Sequence, residues 1–270
     1  MKRVSVEQAY LWAQQFVARE WRLLLPVTLM FLALPPLLVD LLVPASAQAP
    51  MVPLADLQSG KAQIPMTAWL TGLAVVLVGC VGQLALVALG LVARISVREA
   101  IGLAFARVAV LVATGILTVF GVMFIAVLAV LLLNLAPTNA ATQQGLLLFL
   151  IIGLMLFLSI RLMPLGPLIV ERPIGPIAAM RRAWDLTSGA FWRVTGALLI
   201  YVFGAFIVVA ASTSALGAIL TLGARAVGQP EVGVVLAQVF FRVCVAVASA
   251  GIQIVIVSLY RQLVASRSGT

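Results

Sequence analysis

Six apolar runs, at about 23–43, 68–92, 108–133, 146–170, 192–216 and 233–259, decide what this chain can fold into. Each is long enough to cross roughly 30 Å of hydrocarbon at about 1.5 Å per helical residue. Of 270 residues, 64% are apolar and 9% charged, a balance that a soluble domain of this length could keep in water only with an enormous exposed apolar surface. The runs are continuous rather than short and alternating. They therefore read as helices, which satisfy every backbone polar group within the segment, and not as strands of a β-barrel. The sequence predicts an all-α integral membrane protein with six transmembrane helices.

A phrase recurs three times ahead of these runs: Ser5-Val6-Glu7-Gln8-Ala9 to Ala13, Ser96-Val97-Arg98-Glu99-Ala100 to Ala104, and Gly175-Pro176-Ile177-Ala178-Ala179 to Ala183. Ser5 with Gln8 and Ser96 with Glu99 fit a capping box. Gly175-Pro176 fits an N-cap followed by proline at the first helical position. In the first phrase Val6, Ala9, Tyr10, Ala13, Val17 and Trp21 share one face, with Glu7, Gln14, Arg19 and Arg22 elsewhere. The second and third repeat the pattern, so each predicts an amphipathic interfacial helix. Three units follow, at about 1–94, 95–173 and 174–270, each a cytoplasmic amphipathic helix plus a transmembrane hairpin. Together they form a single membrane domain.

The net charge of +9 is sorted by loop. Basic residues outside the spans fall before, after or in even-numbered loops, from Lys2, Arg3, Arg19 and Arg22 to Arg261 and Arg267, with only Lys61 and Arg225 in odd-numbered ones. The positive-inside rule then places both termini in the cytoplasm, and attraction to anionic lipid heads accounts for the charge without nucleic acid. Ala45-Ser46-Ala47 looks like a signal cleavage site, but the run before it is too long and starts too late for a signal peptide, so an uncleaved first span is expected. Cys80 and Cys244 lie inside spans, where a buried apolar role fits better than a disulfide or metal site. The chain has no histidine, the commonest metal ligand and general base. No cofactor or metal is implied.

Within the spans, Gly79, Gly82, Ala85, Gly90, Gly115 and Gly121 are small enough to let helices approach closely. Pro26, Pro35, Pro36, Pro164 and Pro167 are expected to kink the first and fourth spans. Arg161 and Arg242 are the sharpest candidates for function, since a charge at the bilayer centre costs about 2.5–3.5 kcal/mol on the insertion scale. Arg161 is placed to snorkel toward the cytoplasm. Arg242 is deeper, and Gln238, Arg242, Ser249 and Gln253 form one stripe of the sixth span. With Asp40 at the outer end of the first span and Glu171 at the inner end of the fourth, no acidic residue is expected at its depth. A chloride, a lipid phosphate or backbone carbonyls would then satisfy Arg242, with Gln83, Thr114, Thr118, Ser159 and Ser212-Thr213-Ser214 available to line a polar cavity. A structural polar cluster and a lipid- or anion-binding site made of Arg242, Gln238, Gln253 and Arg161 both remain open.

The most distinctive stretch is cytoplasmic, from Pro167 through Glu171, Arg172 and Gly175 to Ala179, Arg181, Arg182, Trp184, Leu186, Thr187, Gly189, Phe191 and Trp192. It resembles the signature of the membrane domain that precedes the catalytic part of some bacterial glycerophosphoryl diester phosphodiesterases and recurs in stand-alone membrane proteins. There a proline-bearing span ends in an apolar-Glu pair, a Gly follows, and an Ala-x-x-Arg-Ser/Ala-Trp-x-Leu-Thr-x-Gly-x-Phe-Trp helix leads into the next span. About 30 residues carry specific letters. The resemblance implies a bacterial inner-membrane protein whose relatives' enzymatic activity sits in a separate catalytic barrel. Eight scattered carboxylates without histidine do not supply a metal-dependent phosphodiesterase site. Glu171 could pair with Arg172, Arg181 or Arg182 to dock the cytoplasmic helix on the bundle.

Two functions are therefore expected to compete. One is a non-catalytic module engaging phospholipid headgroups, anionic ones included, or a membrane protein partner, through a basic cytoplasmic ring. Arg181, Arg182, Arg193, Arg107, Arg19 and Arg22 would contact phosphates while Trp184 and Trp192 set depth. The other is a transporter or channel for a small or amphipathic solute using a polar cavity around Arg242.

Overall fold

The computed structural model describes residues 5–43, 65–134 and 139–268. Lys2, Arg3, the Ala45-Ser46-Ala47 site, Asp56, Lys61 and the side chain of Arg267 lie outside the described residues. Within them every regular element is helical: α1 (Val6–Thr28), a π-helical turn (Leu29–Ala33), α2 (Leu34–Leu42), α3 (Met66–Leu91), α4 (Val97–Asn134), α5 (Ala140–Arg161), α6 (Leu165–Glu171), α7 (Pro176–Thr187), α8 (Phe191–Ala226) and α9 (Pro230–Ser268). Among the described residues six helical stretches are long and apolar enough to span a bilayer, and the chain is a multi-pass membrane protein.

Local chemistry sets the helix ends. Ser96 and Glu99 close a full capping box, the Ser96 N–H donating to Glu99 Oε2 at 2.9 Å and the Glu99 N–H to Ser96 Oγ at 3.3 Å. At Ser5 half the box forms, the Gln8 N–H reaching Ser5 Oγ at 3.4 Å, while the Ser5 N–H donates instead to Gln262 Oε1 at 2.9 Å, joining the two ends of the chain. Gly175 caps α7, with Pro176 in its first turn.

The prolines act where their missing N–H groups fall. Pro35 and Pro36 follow the π-helical turn, which absorbs the two lost hydrogen bonds, and Pro164 stands at the break between α5 and α6. Pro26 is carried inside α1.

One expectation needs correcting. The first two amphipathic leads are not separate interfacial helices, because α1 and α4 run from lead into span without interruption. Neither junction holds a residue in a left-handed turn, and Pro26, just past the first one, is accommodated within the helix. Only the third lead is detached, where the turn after Thr187 places Gly189 at φ +88°.

The core lies toward the end of the bundle that holds the start of α1 and the C-termini of α3 and α9. Every residue from Leu84 to Gly90 of α3 is buried, so this stretch is enclosed on all sides by α1, α4, α6 and α9. Lipid tails are as apolar as leucine, so its stability comes from close packing rather than from escape from water. The paired alanines of the three phrases, Ala9 with Ala13, Ala100 with Ala104 and Ala179 with Ala183, are all buried. Gly82 admits Phe31, since a Cβ there would lie 2.5 Å from the Phe31 Cβ, and Gly90 packs against Val257. Gly79, Gly115 and Gly121, in contrast, have open space where a Cβ would go, so the expected close approach occurs at only some of the small residues.

Candidate functional site

Arg242 has an acidic partner, which overturns the expectation that none reaches its depth. Its Nε lies 2.6 Å and one terminal nitrogen 2.7 Å from the two carboxylate oxygens of Asp40, a bidentate pair across α2 and α9. Depth counted along each span separately does not reveal this pairing. Arg242 sits about 18 Å along α9 from its first residue, yet α9 begins well beyond the end of α2, so the two side chains meet. The side chains remain 32% and 19% exposed, respectively. No chloride or phosphate is needed to neutralise this arginine.

Neither of the two best-formed cavities is lined by Arg242. Among the described residues no hydrogen bond joins Arg242 to Gln238, Ser249 or Gln253. Gln238 and Gln83 are exposed on the helix surfaces. Thr114, Thr118 and Thr213 return their hydroxyls to carbonyls of their own helices at 2.7–2.8 Å. A groove of about 650 Å³ does open between α1, α8 and α9, but its wall is apolar apart from Tyr10, Thr28, Tyr201 and Ser212 and includes none of Arg161, Gln238, Arg242 and Gln253. Two hydroxyls brace the helices around it, Tyr10 donating to Ala197 O at 2.6 Å and Tyr201 to Ala248 O at 2.7 Å.

Arg161 belongs with the stretch from Glu171 to Trp192 rather than with Arg242. Its Cζ lies 4.7 Å from the ring centre of Trp184, 5.3 Å from Phe191 and 5.5 Å from Phe157. A terminal nitrogen donates to Trp184 O and Thr187 Oγ1, each at 3.4 Å. Thr187 is fully buried, and its hydroxyl also donates back to Ala183 O at 3.0 Å. The motif's Trp, Thr and Phe thus form a cage that ties the end of α5 to α7 and α8. A cation over an aromatic face contributes about 0.5–2 kcal/mol, and here three faces share one guanidinium.

Glu171 accepts a hydrogen bond from the buried Tyr260 hydroxyl on α9. Among the described residues it forms no ion pair, so the expected docking through Arg172, Arg181 or Arg182 is replaced by a neutral donor. Arg181, Arg182 and Arg193 are exposed on α7 and the start of α8, as are Trp184 and, at 81%, Trp192.

Arg261 was not singled out by the sequence beyond its contribution to the loop charge. One of its terminal nitrogens donates to Gly90 O at 2.8 Å and Leu91 O at 3.1 Å, the last carbonyls of α3, and its Cζ lies 4.7 Å from the Trp12 ring centre. The available signal was weak, an arginine at the first charged position after a span. Beside it lies a second cavity of about 430 Å³ whose wall includes Trp12, Phe16, Arg19, Glu20 and Arg94. Among the described residues no three of Cys, Asp and Glu gather to hold a metal.

Comparison with protein-family models, with curated proteins and with solved structures finds no match to this chain.

Proposed function

We propose that this is a non-catalytic protein of the bacterial inner membrane, with both termini cytoplasmic, that engages phospholipid headgroups through its basic cytoplasmic face. The observation that carries the reading is the joint exposure of Arg181, Arg182 and Arg193 with Trp184 and Trp192 on one short stretch. Arginines without an ion-pair partner among the described residues offer forked donors to phosphate, and exposed tryptophans favour headgroup depth. The resemblance of this stretch to the membrane domain of glycerophosphoryl diester phosphodiesterases supports the same assignment. The six buried alanines support three repeated units, each docking its amphipathic lead through small residues.

The test is native mass spectrometry of the detergent-purified protein with added phosphatidylglycerol, wild type beside the double variant Arg181→Glu/Arg182→Glu. Loss of bound anionic lipid in the variant supports the reading, and unchanged lipid together with unchanged partner recovery sinks it. The transporter reading drew on repeats, kinked helices and a buried charge at Arg242, and the pairing of that charge with Asp40 favours the headgroup reading over it. A membrane protein partner docking on the same face is the reading left if lipid is never retained.

A further inference from the structure

The second cavity described above lies where α1, the α3–α4 turn and α9 meet, at the end of the bundle assigned to the cytoplasm. Its lining includes three arginines, Arg19, Arg94 and Arg261, against one acidic residue, Glu20. The carboxylate does not neutralise the site. Glu20 Oε1 accepts from Arg19 Nε at 2.9 Å, which leaves the two terminal amino groups of Arg19 without a partner among the described residues. Arg261 spends one terminal nitrogen on the Gly90 and Leu91 carbonyls and holds its Cζ 4.7 Å from the Trp12 ring centre, and its Nε and other terminal nitrogen have no hydrogen-bond partner among the described residues.

Trp12 and Phe16 stack 5.1 Å apart with an interplanar angle of 14° and supply an apolar wall beside the charges. Arg94 is the informative residue. It occupies the turn between α3 and α4 at φ 61°, a left-handed conformation that costs an L-residue free energy and that glycine adopts freely. Glycine would serve that turn better. Arg94 is exposed there and lines the same cavity as Arg19 and Arg261, so the turn carries a third arginine of the site.

The geometry points to an anion site for a phosphate group, Arg19, Arg94 and Arg261 donating to its oxygens and Trp12 with Phe16 covering the carbon next to it. An anionic phospholipid headgroup fits this chemistry, with its phosphate at the arginines and its glycerol on the aromatic pair. This site deepens the headgroup reading and rests on it, but it uses residues on a different part of the cytoplasmic face from Arg181 and Arg182.

Arg94→Gly separates a structural from a binding role, because it relieves backbone strain while removing the charge. Arg19→Gln is the second variant, at an exposed position on α1. The full chain in detergent is titrated with phosphatidylglycerol and, separately, phosphatidylcholine, reading the bound fraction by native mass spectrometry alongside the melting temperature. The expected result is phosphatidylglycerol binding about tenfold weaker in each variant, phosphatidylcholine unaffected, and Arg94→Gly melting at or above wild type. Displacement of the lipid by millimolar sodium phosphate supports the site and assigns it to a soluble phosphate, whereas lipid that resists displacement supports it as a headgroup site. Unchanged phosphatidylglycerol binding in both variants overturns the site. If Arg181→Glu/Arg182→Glu then abolishes binding, the broader headgroup reading stands without it, and if no variant changes binding both fall.

Discussion

Neutralising one member of the Asp40–Arg242 pair should harm the protein more than neutralising both. Two charge-assisted hydrogen bonds at 2.6 and 2.7 Å join the groups. Each such bond contributes about 1.5–3 kcal/mol in mutational series. With roughly a third of the arginine side chain exposed, an upper figure near the sum is not expected. We expect Asp40→Asn and Arg242→Gln each to cost about 2–3 kcal/mol, because each strands a charge in a low-dielectric setting. The double variant strands none and should cost no more than about 1 kcal/mol, a coupling of about 3–5 kcal/mol, at or above the top of the range seen for contacting residues. Unfolding in mixed micelles of dodecyl maltoside and sodium dodecyl sulfate, followed by circular dichroism, measures all four proteins. A loss of 2 kcal/mol is about a 30-fold change in the folded to unfolded ratio and is readily resolved. Single variants that lose under about 0.5 kcal/mol, or a double variant whose loss equals their sum, would refute the view that this pair holds α2 to α9.

Gly82→Ala should destabilise by about 1–3 kcal/mol through overlap with Phe31, whereas Gly79→Ala, with open space, should be neutral or slightly stabilising in the same unfolding assay. Tyr260→Phe removes the only hydrogen bond to the Glu171 carboxylate among the described residues and should cost about 1.5–3 kcal/mol; Glu171→Gln, which keeps an acceptor, should cost less, and equal losses would argue against the bond. Arg161→Lys keeps the charge but not the planar stacking, so a loss of about 1–2 kcal/mol is expected, with no loss telling against the aromatic cage. Ala100→Leu and Ala179→Leu should each cost about 1–3 kcal/mol by overpacking; tolerance at both positions would count against the alanine pairs as docking points.

The number and type of the spans were legible because a run of twenty apolar residues has few alternatives in water or lipid. So were the caps at Ser96 and Gly175, where the backbone's unpaired N–H groups demand specific neighbours. Continuity of the leads was less so. Amphipathic spacing says which face is apolar but not whether the helix stops, and only Gly189 supplied a stop. The Asp40–Arg242 pair lies across 202 residues, and counting from span ends could not register how far α9 overhangs α2. Arg161 was noticed for its charge and Trp184, Thr187 and Phe191 for their motif, yet nothing in linear order says that they share one cage. Arg261 and Arg94 were hidden among many loop arginines, since a backbone carbonyl partner and a left-handed φ leave little trace in letters.

The enclosure of Leu84–Gly90 has a counterpart in the outer stretches of α4, α5 and α8, where large side chains such as Phe120, Phe124, Phe149, Phe203 and Phe206 stand exposed. For these residues the surrounding medium is acyl chain, which adapts to any outline. Natural selection can therefore read them only for solubility in hydrocarbon, while it reads Leu84 to Gly90 for contour as well. Exchange among leucine, isoleucine, valine and phenylalanine should accumulate freely along the outer stretches, and the central segment should drift slowly, so that the rate of substitution along this chain would trace where protein ends and lipid begins.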